Sequence, residues 1–232
     1  MKVLVIVPAY NEEGNLSRTI NQLKLLNCFY EIIVINDKST DNTLSVANEL
    51  GVKVIDLPCN LGIGGAVQTG YKYAKKNNFD IAIQVDGDGQ HGPEYIEQLI
   101  RPIIEKSADL VIGSRYINKE GFQSTLIRRI GISYFSKLIY ALTGQMITDP
   151  TSGFRACNKR VIEIFSQRYP IDYPEPESIM FLKRKYYEIE EVPVVMNSRE
   201  SGSSSITPIK SIYYMLKVSI AIIIDKLRRE TA

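Results

Sequence analysis

The chain has 232 residues, 44% hydrophobic and 23% charged, with a net charge of +2. That composition is ordinary for a folded protein and excludes disorder and low complexity. Cys28, Cys59 and Cys157 are odd in number and far apart, which excludes a disulfide framework or a zinc pattern and suits a reducing compartment.

Apolar runs and helix-period segments alternate over the first 115 residues. Residues 2–8, 31–35, 52–57, 80–85 and 108–113 read as strands. Residues 13–26, 42–50, 63–76 and 93–105 read as the helices between them. The opening run Val3-Leu-Val-Ile-Val7 follows a single Lys and has no small-residue cleavage site, so a strand is expected there, not a signal peptide. The Val/Ile runs are continuous and do not alternate with polar residues, which predicts strands covered on both faces. The expected fold class is α/β, a mostly parallel sheet with helices on both faces. Ligands of such sheets bind beyond the carboxyl ends of the strands. Polar residues gather there after all five strands: Asn11-Glu12, Asp37, Asn60, Asp86 with Asp88, and Ser114-Arg115. Such a convergence predicts a site.

After Arg115 the rhythm changes. Residues 124–144 read as a helix, 149–155 as a polar turn-rich segment, 158–165 and 177–184 as short helices and 187–195 as a strand. Residues 199–205 read as a Gly/Ser loop and 206–229 as a helix. The apolar core of that last helix is only 13 residues long and contains Lys217. A bilayer span needs about 20 apolar residues, so the helix is expected to lie on an anionic membrane surface, meet a membrane-protein partner, form a homodimer seam or cover its own core. Charge divides along the chain. Residues 1–100 hold 8 Lys/Arg against 12 Asp/Glu, and residues 101–232 hold 20 against 14. An acidic half before a basic half suits a metal site followed by a phosphate- or membrane-facing region. No Pro, Gly or Ser linker divides the chain, so residues 1–205 read as one domain. Its donor and metal half is 1–115 and its acceptor half 116–205; the helix 206–232 follows.

Asp86-Gly87-Asp88 is the sharpest local signal. Two carboxylates one residue apart repel each other unless a hard divalent cation joins them, and substrate phosphates can fill its remaining positions. The competing reading is an Asp/Gly turn after a strand.

The segments Val5-Ile-Val-Pro-Ala-Tyr-Asn-Glu-Glu13, Val34-Ile-Asn-Asp-Lys-Ser-Thr-Asp41, Asn60-Leu-Gly-Ile-Gly64, Val85-Asp-Gly-Asp-Gly-Gln90 and Ile112-Gly-Ser-Arg115 occur in that order. Together they resemble the family 2 glycosyltransferases, most closely the dolichyl-phosphate mannose synthase and polyprenyl-phosphate sugar transferase group. The resemblance implies a GT-A fold and inverting transfer from a UDP-, GDP- or dTDP-linked sugar, with no nucleic-acid partner. It implies a base pocket at Pro8, Ala9 and Tyr10, a ribose contact at Glu12 and a base contact at Asp37. Asn60, Gly62 and Gly64 would lie close to the donor. Asp86 and Asp88 would hold Mn²⁺ or Mg²⁺, with Gln90 beside them and Asp88 also counted among the catalytic residues. Where the family often has two aspartates this chain has Asn36-Asp37, and Lys38 stands where glycine is frequent. His91, the only histidine, reads as structural.

In the second half, Asp149-Pro-Thr-Ser-Gly-Phe-Arg155 resembles the acceptor-side segment of the family, and the loop with Arg199 and Ser203 resembles one that closes over the donor phosphates. Arg115, Arg155 and Arg199 are the candidates for phosphate contacts, because guanidinium binds phosphate oxygens in pairs. Glu177, with Glu175 as its rival, is the candidate general base that a hydroxyl acceptor would need; a phosphate acceptor would need none. The expected acceptor is a lipid-linked one such as polyprenyl phosphate, at the cytoplasmic face of the membrane. Transfer to a sugar hydroxyl of a cell-surface polysaccharide or lipid-linked oligosaccharide is the alternative. A sugar-phosphate nucleotidyltransferase and a non-catalytic nucleotide-sugar binder are the remaining readings.

Overall fold

The computed structural model describes residues 1–26, 30–171, 173–198 and 208–227. Cys28 and the loop with Arg199 and Ser203 lie outside them. Seven strands form one sheet: β1 (Val3–Ala9), β2 (Tyr30–Asn36), β3 (Lys53–Asp56), β4 (Ile81–Gln84), β5 (Leu110–Ser114), β6 (Arg155–Asn158) and β7 (Ile189–Pro193). Their order across the sheet is β3-β2-β1-β4-β6-β5-β7. β6 alone runs against its neighbours β4 and β5; the other pairings are parallel.

Helices cover both faces, as the continuous apolar strands predict. Along β1 the side chains alternate. Leu4 and Ile6 pack with Val67 and Tyr71 of α3 (Gly62–Lys76) and Val161 of α6 (Lys159–Gln167). Val3, Val5 and Val7 pack with Leu16 and Ile20 of α1 (Leu16–Leu26) and Leu99 of α4 (Ile96–Ile104). The short helix α2 (Thr43–Glu49) joins this second face through Ala47. A smaller apolar cluster joins α5 (Leu126–Thr143), α7 (Pro174–Arg184) and α8 (Pro208–Leu227) around Phe135, Met180, Val218 and Ile222. Among the described residues no helix is long and apolar enough to cross a membrane.

Two elements differ from the sequence expectation. The segment 149–155, expected to be turn-rich, ends by entering β6, which fills the space between β4 and β5. α7 starts at Pro174, not at residue 177, so Glu175 and Glu177 both fall in its first turn. Proline suits that start because its missing N–H has no partner to lose there.

β1 is the point where the strand order reverses. The chain moves outward from β1 to β2 and β3, then returns to place β4 on the other side of β1. A crevice opens beyond the carboxyl ends at such a point. The segment after β4 holds to the segment ending β1 there, through Gly87 N donating to Pro8 O at 3.3 Å.

Candidate active site

One side of the crevice is two loops stitched together. Asn11 N donates to Ser39 Oγ at 3.0 Å, and Thr40 N to Asn11 Oδ1 at 2.8 Å. Glu12 N donates to Thr43 Oγ1 at 2.8 Å, and Asn42 N to Glu13 Oε2 at 2.9 Å. Glu12 also accepts from Asn15 Nδ2 at 2.8 Å. Asn11 and Lys38 both adopt left-handed backbone, with φ of 55° and 59°. Lys38 thus takes up the conformation that glycine favours. Pro8 and Ala9 are buried at the end of β1 and Tyr10 is exposed beyond them.

Asp37 is buried and its carboxylate accepts from Leu61 N at 2.7 Å, while its carbonyl accepts from Asn60 Nδ2 at 3.1 Å. Burial raises its pKa, against the lowering pull of the Leu61 and Gly62 N–H groups. Asp37 therefore anchors the turn that opens α3. The glycines of that turn do different work. Gly62 needs its φ of 75° and has open space around it. Gly64 lets another part of the chain approach: a Cβ there would lie 2.2 Å from the carbonyl oxygens of Pro170 and Ile171, and Gly64 N donates to Ile171 O at 3.0 Å. Its smallness serves packing, where the sequence resemblance implied contact with the donor.

Asp86 and Asp88 sit on the turn after β4. Asp86 Oδ1 accepts from Gln84 Nε2 at 3.0 Å, and Asp88 Oδ1 from Gln90 N at 3.0 Å. Asp86 N donates to His91 Nδ1 at 3.0 Å. An N–H pointing at Nδ1 requires a lone pair on that nitrogen, so the ring proton of neutral His91 lies on Nε2. His91 is buried and stacked on Phe154, with ring centres 4.8 Å apart. It holds the turn, as expected for a structural histidine. Gln90 ties the same turn to the segment after β7, through Asn197 N donating to Gln90 O at 2.9 Å.

The donor set at Asp86 and Asp88 is chemically that of a hard divalent cation, with two carboxylates and the Asp86 side chain one-third exposed. Among the described residues no group of three or more His, Cys, Asp or Glu gathers to hold a metal. The pair therefore fits a cation whose remaining ligands come from substrate phosphates or water.

The segment 149–155 lies directly against this turn. A Cβ at Gly153 would meet an Asp86 carboxylate oxygen and Gln84 Nε2, each at 2.9 Å. Arg115 follows β5 and is bound in bidentate fashion by Asp149, Nε to Oδ2 at 2.7 Å and Nη2 to Oδ1 at 2.9 Å. Burial opposes its charge, yet Asp149 outweighs burial and the Arg115 pKa is raised. Asp149 is held in turn by Glu191 of β7, which accepts from Asp149 N at 2.8 Å and Thr148 N at 2.6 Å.

Arg155 departs from the expectation of a phosphate contact. It is almost fully buried, and its guanidinium donates to Ser152 O, Glu175 O, Ser178 Oγ and Pro150 O at 2.6–3.0 Å. Four of its five N–H donors are spent inside the protein. Arg155 clamps the segment 149–155 to the first turn of α7. Glu175 lies at that turn. Burial pushes its pKa up to about 7, with Arg155 pulling down and Asp86 and Glu177 adding to the rise. Glu175 and Glu177 are both half-buried, on either side of Pro176. The raised pKa makes Glu175, the rival of Glu177 in the sequence, a base candidate in its own right. Asp149 and Gly153 lay inside a segment read as acceptor-lining, but nothing in their spacing marked the roles they take.

The profile of the family described as glycosyl transferase family 2 matches residues 4–165, well over half of the chain. The chain is 32% identical over 247 residues to the UDP-N-acetylglucosamine–dolichyl-phosphate N-acetylglucosaminyltransferase of Methanococcus voltae, which covers 96% of this chain and 98% of that protein. It is 37% identical over 217 residues to the dolichol-phosphate mannosyltransferase of Pyrococcus furiosus, across 89% of this chain and 59% of that protein. Among solved structures, glucosyl-3-phosphoglycerate synthase from Mycobacterium tuberculosis, in complex with Mn²⁺, UDP and phosphoglyceric acid, superposes with a TM-score of 0.76 at 19% identity. That match covers 99% of this chain and 80% of the other, and shows that the two share the GT-A type of α/β fold.

Proposed function

We propose a function for this chain from its membership: it belongs to glycosyl transferase family 2 and is a glycosyltransferase. The reaction proposed is inverting transfer of one sugar from a nucleoside-diphosphate sugar to a lipid-linked phosphate such as polyprenyl phosphate, at the inner face of the membrane. Residues 1–205 form the catalytic unit. The acceptor follows the two relatives, a dolichyl-phosphate N-acetylglucosaminyltransferase and a dolichol-phosphate mannosyltransferase.

One observation carries the reading. Asp86 lies at the reversal point of the sheet and touches the acceptor-side segment through Gly153, so donor diphosphate and acceptor would meet across one carboxylate. The base and ribose would be held between the stitched loops that carry Tyr10, Glu12 and Asp37. Asp86 and Asp88, with Gln90 beside them, would hold Mn²⁺ or Mg²⁺ against the diphosphate. When bound, such a cation neutralises the charge that builds on the departing nucleotide. Arg115, oriented by Asp149, offers positive charge on the acceptor side. An oxygen of the acceptor phosphate attacks the anomeric carbon from the face opposite the diphosphate as the sugar–phosphate bond breaks. That oxygen is already an anion, so no base is required. Arg199 and Ser203 remain candidates to close over the donor phosphates.

A second reading follows from Glu175. A carboxylate whose pKa is pushed up to about 7 is suited to take a proton from a sugar hydroxyl, which would make a polysaccharide or lipid-linked oligosaccharide the acceptor. The two readings separate in one assay. Transfer from nucleotide sugars to short-chain polyprenyl phosphate is measured with Mn²⁺ for the natural chain, Asp88→Ala, Glu175→Gln and Glu177→Gln. The expected result is activity abolished in Asp88→Ala and largely kept in both Gln variants. Loss of activity by a factor of about 100 or more in a Gln variant, the scale of general-base catalysis, favours the hydroxyl acceptor.

A further inference from the structure

α5 and α8 are far apart in the chain but lie side by side and run in the same direction. A Cβ at Gly131 would sit 3.8 Å from Met215 Sδ, Tyr134 Oη is 2.9 Å from Ser219 Oγ, and Lys226 Nζ donates to Leu142 O at 2.8 Å. Their inward sides meet α7 in the cluster around Phe135 and Val218. Their outward sides are apolar too. α8 exposes Leu216, Ile220, Ile223 and Ile224, a stripe at helical spacing. α5 exposes Leu126 at 72% and Ile130 at 61%, with Ile127 and Tyr134 between and after them. Scattered exposed apolar residues mean little, but two adjacent stripes on packed helices mark an interaction surface.

Charge tells what the surface meets. α5 carries Arg128, Arg129 and Lys137 and no Asp or Glu, and α8 has one acidic residue in its sequence, Asp225. Arg129, Lys137 and Lys226 are exposed. Apolar stripes with a cationic rim are the complement of an anionic lipid surface, where the stripes enter the acyl boundary and the cations stay among the headgroups. The surface also leads to the reaction site. The segment between Arg115 and α5 is tied back on itself, Tyr116 Oη to Gln123 O at 2.9 Å and Gln123 Nε2 to Arg115 O at 3.0 Å, and it exposes Ile117 and Phe122.

We propose that the paired outward faces of α5 and α8 dock on an anionic bilayer surface, bringing the Arg115 end of the crevice to the lipid. The sequence pointed only to the C-terminal helix; α5 supplies the other half of the surface and its link to the site. The proposal rests on the lipid-acceptor reading for its purpose, and on the exposed residues for its geometry.

The chain contains no tryptophan, so single-tryptophan variants report cleanly. In vesicles containing phosphatidylglycerol, Ile127→Trp and Ile220→Trp are expected to shift their emission to the blue. Leu25→Trp, on exposed α1 across the sheet, is expected not to. Phosphatidylcholine alone should give a much weaker response. The pair Ile130→Glu with Ile220→Glu should lower vesicle co-sedimentation by about tenfold or more, with the thermal shift from Mn²⁺ and nucleoside diphosphate unchanged. Absence of a blue shift at positions 127 and 220, or an equal shift at all three positions, overturns the proposal. So does a vesicle-free dimer that the Glu pair abolishes, which would make the face a self-interface. Transfer to a short polyprenyl phosphate in solution separates the two ideas. Transfer without vesicle binding sinks the docking alone, and vesicle binding without transfer to that acceptor sinks the acceptor reading alone.

Discussion

Arg115, Arg155 and Glu175 show how a side chain takes different work from its surroundings. Arg115 and Arg155 both look like phosphate binders in the sequence. Arg155 opens β6, is almost fully buried and spends its donors on carbonyls and a serine; Arg115 follows the end of β5 and is held by one carboxylate. Glu175 sits beside the buried guanidinium, yet burial wins and its pKa is pushed up to about 7. The sign of the stability effect follows. An unfolded Glu titrates near 4.3, so between there and about 7 the folded state binds more protons than the unfolded. The stability Glu175 contributes is full below the unfolded value and is lost as pH rises through the folded one. The loss amounts to on the order of 3 kcal/mol by the conversion of pKa units to free energy. Urea unfolding of the natural chain and Glu175→Gln at several pH values tests this. The variant should gain in relative stability as pH rises from about 4 to 8, and a constant difference would refute it.

At the scale of elements, the turn into α3 separates two uses of glycine that the sequence presents alike. Gly62→Ala meets open space but must hold a left-handed backbone, a cost of about 1–2 kcal/mol. Gly64→Ala drives a methyl into two backbone carbonyls that cannot rotate away, so the cost should reach or exceed the upper end of the overpacking range, about 3 kcal/mol. Denaturant midpoints at unchanged slope measure both, and a Gly62→Ala loss equal to or larger than that of Gly64→Ala would contradict this assignment. β6 is the element the sequence hid. Its four residues include an arginine and follow a turn-rich segment, so no apolar run announces it. It forms because β4 and β5 stand one strand apart and their backbone groups need partners. Asn158, expected to start a helix, ends that strand and caps α6 by accepting from Val161 N at 3.1 Å.

For the whole molecule, the reversal of strand order at β1 places a pair of carboxylates over the crevice. A ligand that binds only the folded chain raises its melting temperature by mass action. Nucleoside diphosphate with Mn²⁺ is therefore expected to raise the melting temperature, by the equivalent of about 2.7 kcal/mol at a hundredfold excess over its dissociation constant. Asp88→Ala should abolish the metal-dependent part. An equal rise without metal, measured by scanning calorimetry in the presence of chelator, would remove Asp86 and Asp88 from the donor site.

The sequence alone determined the parallel strands, both covered faces and the polar residues at the strand ends. These are local patterns: apolar runs, helical periods and turn residues can be read without knowing what lies opposite. It also carried the family, because five segments kept their order along the chain. Tertiary structure alone decided that Arg155 is a clamp, that Asp149 holds Arg115, that Gly153 admits Asp86 and that burial raises the pKa of Glu175. Each of these depends on a partner tens of residues away, and burial and hydrogen bonding belong to the pair once folding has brought it together.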